Sequence, residues 1–206
     1  MYTGIIQNSL TVKSLSKKPG LVSFSIEFTD ELLKDLKIGA SVSIDGVCLT
    51  VSKIDESDIS FDAMDETLEL TTIGMLEQGD VVNVLRSAKI GDENGGHEMA
   101  GHIIGMGEVV KVETPENNHI ITVKVNPDWM KYIFQKGFIG FHGASLTVVD
   151  PDHEKNTFKV HLIPETLRIT NFDQLKVGSK VNIEIESKTQ TMVDTIERMQ
   201  GGTAKV

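Results

Sequence analysis

The chain of 206 residues contains one cysteine, Cys48, so no disulfide can form within it and a reducing compartment is the expected setting. No stretch approaches the roughly 18 consecutive apolar residues of a membrane-spanning helix. The opening MYTGIIQNSL lacks the basic region and long apolar core of a signal peptide. Positive charge is scarce: 20 Lys and Arg stand against 30 Asp and Glu, a net charge of −10. That balance disfavours a general nucleic-acid binder, which needs cationic surface to displace counterions. No low-complexity run or long linker divides the chain. What is present, 39% hydrophobic and 24% charged residues, is ordinary globular composition. The expectation is a cytoplasmic protein with neither membrane nor nucleic acid as partner.

Laying the two halves over each other reveals a repeat. Gly46-Val47-Cys48-Leu49-Thr50-Val51 returns 97 residues later as Gly143-Ala144-Ser145-Leu146-Thr147-Val148. Glu66-Thr67-Leu68 returns as Glu165-Thr166-Leu167, and Val82-Asn83-Val84 as Val181-Asn182-Ile183. Gly39 answers to Gly137, and Thr3-Gly4-Ile5-Ile6 resembles Gly101-His102-Ile103-Ile104. Blocks kept in order at nearly constant offset indicate a tandem duplication, with a period too long for a solenoid.

Each unit reads mostly as strands. Val, Ile and Thr recur in short runs at 41–44, 47–51, 81–84 and 120–125, punctuated by Gly, Asp and Asn as in small barrels. Short helices are expected at 30–36 and 127–134, with Pro127 in a first turn and Gly39 and Gly137 at helix ends. Met192, Val193, Ile196 and Met199 fall at helical spacing and predict an amphipathic helix belonging to neither repeat, ended by Gly201-Gly202.

On a strand over 47–51, Val47, Leu49 and Val51 share one face while Cys48 and Thr50 share the other. The second unit repeats this, with Ser145 and Thr147 opposite Leu146 and Val148. Each half thus offers a pair of small hydrogen-bonding groups facing away from its core. The stretch from Gly91 to His102 is rich in glycine, yet lacks the Gly-Lys-Ser/Thr of a phosphate loop and the dinucleotide fingerprint. His97 and His102 are five apart, with Gly101 between them, which does not fit a zinc-binding helix. They remain as two histidines on a turn beside the repeat junction, able to pass protons near neutral pH. Cys48 has no activating base nearby in sequence, and Cys/His hydrolase signatures are missing.

These residues together resemble the riboflavin synthase family. The likeness is carried by MYTGIIQ, the run from Asp45 to Val51, Phe61 with Glu66-Thr67-Leu68, and Gly95-Gly96-His97 with Gly101-His102. Lys136-Gly137-Phe138-Ile139-Gly140, Ser145-Leu146-Thr147-Val148, the run from His161 to Leu167 and Val193-Asp194-Thr195-Ile196-Glu197-Arg198 continue it over essentially the whole chain. The resemblance implies an all-β fold: two tandem Greek-key six-stranded β-barrels with short helices and a C-terminal amphipathic α-helix. Residues 1–97 and 98–186 would form the two lumazine-binding barrels, and 187–206 the trimerisation helix and tail. The implied reaction, a transferase reaction, is dismutation of two 6,7-dimethyl-8-ribityllumazine molecules. A four-carbon unit passes between them, giving riboflavin and 5-amino-6-ribitylaminouracil, with no metal or other cofactor. The implied assembly is a homotrimer with active sites between chains, and lumazine synthase is a candidate partner.

Carried over position by position, the resemblance puts Gly4, Ile5 and Ile6 in the first-barrel pocket with Cys48, Leu49 and Thr50. Asp62, Ala63, Met64, Asp65, Glu66 and Thr67 complete that pocket. The second-barrel pocket would comprise Gly101, His102 and Ile103 with Ser145, Leu146 and Thr147. His161, Leu162, Ile163, Pro164, Glu165 and Thr166 line it further, and Lys136 reaches over from a partner chain. Cys48, His102, Ser145 and Thr147 are the expected proton-handling groups, and Glu66 and Glu165 the expected partners of ribityl hydroxyls. The sequence departs from the family's usual pattern at Tyr2, commonly Phe, and at His142 and Glu186, commonly Asp. The alternative reading is a non-catalytic antenna of the lumazine-protein kind. Those relatives tend to lose the first-repeat cysteine and the glycine-histidine run, which are present here.

Overall fold

The computed structural model describes residues 1–116 and 118–201. The first unit comprises β1 (Asn8–Lys18), β2 (Leu21–Glu27), β3 (Ser41–Ile44), β4 (Val47–Asp55), β5 (Asp58–Met64) and β6 (Val81–Arg86). They close into an antiparallel barrel in the order β1-β2-β5-β4-β3-β6, in which β6 pairs with both β1 and β3. Alternation supplies the core. Val47, Leu49 and Val51 are buried, Cys48 is half-buried and Thr50 is exposed. Ile59, Phe61 and Ala63 follow the same period of two. Phe24 and Phe28 lean on Phe61 with ring centroids 5.5 and 6.1 Å away. Each such side chain contributes about 1.5–3 kcal/mol by leaving water. Two short helices, α1 (Asp30–Leu33) and α2 (Asp65–Leu70), cap the barrel. The first stops short of the expected residue 36 because the chain leaves helical backbone at Lys34 (ψ 120°), ahead of left-handed Asp35 at φ 58°.

The second unit comprises β7 (Gly105–Glu113), β8 (His119–Lys124), β9 (Phe138–Phe141), β10 (Ala144–Thr147), β11 (Val149–Asp152), β12 (Thr157–Leu162) and β13 (Lys180–Ile185). Its order is β10-β9-β13-β7-β8-β12-β11. The expected second six-stranded barrel therefore needs one correction. The counterpart of β4 is broken into β10 and β11, which end the sheet, so the ladder is not continuous. The break falls at Val148, between β10 and β11. Within β11, Asp150 at φ 45° and Pro151, which has no N–H to donate, shift the register against β12. A 3₁₀ helix at Pro127–Tyr132 replaces the expected helix over 127–134, with the Asn126 side chain accepting the Asp128 N–H at 3.0 Å. After α3 (Pro164–Ile169) and β13, the chain ends in α4 (Ser187–Gly201). Gly202, half of the expected glycine stop, lies outside the described residues.

The sequence assigns α4 to neither unit, but the helix docks on the second. Tyr132 donates to Asp194 at 2.6 Å and Lys131 to Glu197 at 2.6 Å. Met192, Ile196 and Met199 face outward, 64%, 49% and 81% exposed. Among the described residues no helix is long and apolar enough to cross a membrane.

The two units meet turn against turn. Asp45-Gly46 joins β3 to β4 at φ 47° and 89°, the left-handed pair that an Asp-Gly hairpin favours. His142-Gly143 repeats it between β9 and β10 at 48° and 93°. A Cβ on Gly46 would lie 2.8 Å from the Gly143 nitrogen, and one on Gly143 would lie 2.8 Å from the Gly46 nitrogen. Neither position accepts a side chain. Asn83 Nδ2 donates to the His142 carbonyl at 3.0 Å, and its Oδ1 accepts the Asn171 N–H at 2.9 Å. Asn182 mirrors it, donating to the Asp45 carbonyl at 2.9 Å and accepting the Thr72 N–H at 2.8 Å.

At the centre His142 Nε2 lies 3.3 Å from Asp45 Oδ1, with both side chains buried. Burial pushes Asp45 up to about 7 and His142 down to about 3. His142 is therefore neutral at pH 7. Its Nδ1 accepts the Asn182 N–H at 3.2 Å, which leaves Nε2–H to donate to Asp45. Two of the departures from the family's usual residues thus find structural places. His142 belongs to the seam between the barrels. Glu186 caps α4, accepting the N–H groups of Lys188 and Thr189 at 3.1 and 2.6 Å.

Candidate functional site

The segments preceding the two barrels are exchanged. Gly101 follows the first unit in sequence and leads into the second, yet its carbonyl accepts the Cys48 N–H at 3.0 Å. Gly4 leads into the first barrel, yet its carbonyl accepts the Ser145 N–H at 2.8 Å. The contacts are close. A Cβ on Gly101 would lie 2.7 Å from the Cys48 Cβ, and one on Gly4 would lie 2.5 Å from the Ser145 Cβ. Both glycines hold left-handed φ, 78° and 70°. Between the two segments Tyr2 pairs with Met99 as an isolated bridge.

This exchange corrects the expected grouping of pocket residues. Gly4, Ile5 and Ile6 do not accompany Cys48, and Gly101, His102 and Ile103 do not accompany Ser145. Each trio sits against the other barrel. Cys48 and Val47 instead line a cleft of about 240 Å³ with Glu66, Thr67, Leu70, Thr71, Gly101, His102 and Ile103. Thr50 lies two residues along β4, exposed on the same face as Cys48. Leu49 points the other way, into the core. Of the run at the end of β5, Ala63 is buried, while Asp62, Met64 and Asp65 are exposed.

Cys48 Sγ accepts a hydrogen bond from the Tyr2 hydroxyl at 3.2 Å. Tyr2 is 1% exposed, and burial, then the Cys48 contact, pushes its phenol well above the usual tyrosine range. It therefore stays a donor to sulfur at any working pH. The family's usual Phe would lack this bond.

Ser145 is wrapped more tightly. Its Oγ accepts the His97 main-chain N–H at 3.0 Å and lies 2.6 Å from His97 Nδ1. The imidazole is buried, stacks on Phe138 with centroids 5.1 Å apart, and has no partner at Nε2 among the described residues. Burial holds His97 below the usual histidine range, so the ring is neutral at pH 7. In the tautomer that carries its proton on Nε2, Nδ1 accepts the Ser145 O–H and draws that proton toward itself. Gly96 lets the loop approach, since a Cβ there would lie 2.7 Å from the Ser145 Cβ. His97 was visible in the sequence as a turn histidine, but nothing in the order of residues ties it to Ser145, 48 positions on.

The comparisons with known proteins agree in kind. The lumazine binding domain matches residues 3–86 and again 100–186. The chain is 48% identical over 200 residues to riboflavin synthase of Escherichia coli (strain K12), covering 97% of this chain and 93% of that protein. It is 38% identical to riboflavin synthase of Chlamydia pneumoniae over the full length of both. The chain belongs to the riboflavin synthase family. Among solved structures it is similar to LumP complexed with riboflavin, at a TM-score of 0.83 and 27% identity, covering 91% of this chain and 100% of that one. LumP complexed with 6,7-dimethyl-8-(1'-D-ribityl) lumazine gives a TM-score of 0.82 at 25% identity, with the same coverage.

Thr147 is exposed beyond Ser145, and Leu146 is partly buried against the second core. Leu162 is buried, whereas Ile163 and Pro164 are exposed where α3 begins. His161 Nδ1 lies 3.0 Å from Asn118 Nδ2. The two glutamates differ: Glu66 lines the Cys48 cleft, but Glu165 is engaged by Arg168 at 2.6 and 2.8 Å, and that contact lowers its pKa. Thr166 gives its carbonyl to the Thr170 hydroxyl at 2.6 Å. Lys136 is exposed at φ 66°, on the turn before β9.

Proposed function

We propose that this chain is a riboflavin synthase, a transferase that dismutates two molecules of 6,7-dimethyl-8-ribityllumazine into riboflavin and 5-amino-6-ribitylaminouracil. The observation that carries the reading is the exchanged pair of platforms, alike in scaffold and different in chemistry: thiol and phenol at Cys48–Tyr2, hydroxyl and imidazole at Ser145–His97. Dismutation needs such a difference, because one lumazine gives up the four-carbon unit and the other receives it. Relatives that are riboflavin synthases over nearly the whole length support the activity, and LumP bound to lumazine and to riboflavin supports the ligands.

One lumazine lies against Cys48, Thr50 and the Gly101–His102–Ile103 segment, with Glu66 toward the ribityl chain. The other lies against Ser145, Thr147 and the Gly4–Ile5–Ile6 segment, near the run from His161 to Thr166. One ring loses a proton from its C7 methyl and becomes the carbon nucleophile, while the other accepts a nucleophile at C7. Two carbon–carbon bonds then join the methyl carbons of the first ring to the second as the second ring's two carbon–nitrogen bonds break, its nitrogens taking up the protons released. Ser145 backed by His97, with Cys48, Thr147 and His102, relays the protons. Orienting two rings face to face supplies much of the acceleration, since effective molarities reach about 10⁵ M or more in well-aligned pairs. The two rings come from neighbouring protomers of a trimer joined through the Met192, Ile196 and Met199 stripe. Lys136 reaches across from the partner.

The test is to supply the purified protein with 6,7-dimethyl-8-ribityllumazine and follow riboflavin absorbance. Growth of the flavin band is expected. Tight, coloured binding without turnover would replace this reading with the antenna.

A further inference from the structure

Counted from Asn83 and Asn182, Leu85 on β6 and Glu184 on β13 occupy equivalent positions and differ in kind. Both are buried, 3% and 5% exposed. Leu85 ends in hydrocarbon. The Glu184 carboxylate accepts the Ala100 N–H at 2.7 Å, and the Gly101 N–H lies 3.2 and 3.1 Å from its two oxygens. Burial pushes Glu184 up, and these main-chain donors oppose the shift by favouring the ionised form.

The strand that carries Glu184, β13, is paired along both edges, with β7 and β9, and Glu184 stands opposite Gly140, where a Cβ would lie 2.7 Å from the Glu184 Cβ. The carboxylate thus fastens the segment whose next group, the Gly101 carbonyl, receives the Cys48 N–H. The corresponding segment at Gly4 reaches Ser145 with Leu85, not a carboxylate, at the matching place.

We propose that Glu184 is a positioning residue that clamps the Ala100–Gly101–His102 segment over Cys48, holds His102 at the mouth of the cleft, and makes the two platforms unequally stiff. The clamp requires only the geometry above. Its consequence for turnover rests on the function proposed in the preceding section.

Amide hydrogen exchange, read by NMR on the full-length protein, separates the two. In Glu184→Gln and Glu184→Leu the Cys48 amide should exchange about tenfold faster than in the wild type, the expected loss for one charge-assisted hydrogen bond, while the Ser145 amide keeps its rate. Glu184→Gln keeps shape and one acceptor, so it decides the matter if the leucine variant does not fold. In the turnover assay Glu184→Gln should lower kcat with a smaller change in KM, and Glu184→Asp should restore part of the loss. Unchanged exchange at Cys48, or equal acceleration at Cys48 and Ser145, would overturn the proposal. Because exchange needs no substrate, faster exchange at Cys48 alone in a protein that fails to turn over lumazine would uphold the clamp and reject the function instead.

Discussion

Replacing Asn182 with alanine tests the seam that joins the two barrels of one chain. The Asn182 amide accepts the Thr72 N–H at 2.8 Å and donates to the Asp45 carbonyl and the Thr72 hydroxyl, both at 2.9 Å. The residue is fully buried. Alanine leaves one buried N–H and one buried carbonyl unpaired, at about 1–3 kcal/mol each, so the loss should be about 4 kcal/mol. Urea denaturation at pH 7 and fixed protomer concentration measures it, since assembly makes stability depend on concentration. With an m-value of about 3 kcal/mol per molar, the midpoint should fall by more than about 1 M. Thr72→Ala removes only one of two acceptors of the same amide and should cost about 1 kcal/mol. Asn83→Ala should match Asn182→Ala, because Asn83 plays the mirrored part. A loss below about 1 kcal/mol for Asn182→Ala would refute the view that these amides hold the barrels together.

Other outcomes follow from the site. Cys48→Ala and Ser145→Ala should both still bind lumazine but lower turnover, with stability reduced by about 1–3 kcal/mol, because each leaves a buried donor, the Tyr2 hydroxyl or the His97 N–H, without its acceptor; equal rates at saturating substrate would count against the assignment. Burial of neutral His97 means that its contribution to stability is present above the ordinary histidine value of about 6.5 and is lost as pH falls through its lower folded value. The acid limb of kcat should therefore lie below 6.5 and disappear in His97→Asn; a limb above 6.5 that survives this substitution would exclude His97. Truncation after Ser187 removes the exposed Met192, Ile196 and Met199 stripe and should yield monomers with greatly reduced turnover, whereas a truncated chain that sediments as a trimer would place the contact elsewhere.

Much of the fold was legible. Alternation at Val47, Leu49 and Val51 defined both the core face and the Cys48–Thr50 face. The repeated Asp45-Gly46 and His142-Gly143 pairs marked equivalent turns. Local pattern was less informative where single residues override it: Lys34 leaves helical backbone and ends α1, and Asp150 with Pro151 shifts the register of β11 against β12. The exchange of leading segments was not legible. The repeat aligns Gly4 with His102; it is the structure that makes Gly4 and Gly101 equivalent, and no offset says which barrel each one touches. Nor could the sequence separate seam from site. Asp45 and His142 lie three residues from Cys48 and Ser145, yet the twofold meeting of the turns buries them between the barrels. Nothing in the sequence sets Glu184 apart; only the fold brings its carboxylate onto the Ala100 and Gly101 amides.

The most direct test of the two-platform dismutation is a mass balance. Purified protein is incubated anaerobically with 6,7-dimethyl-8-ribityllumazine and nothing else, and all three compounds are quantified by chromatography. Two lumazines should disappear for each riboflavin formed, with one 5-amino-6-ribitylaminouracil released. Riboflavin formed without the aminouracil, or one lumazine consumed per riboflavin, would contradict four-carbon transfer between two bound lumazines.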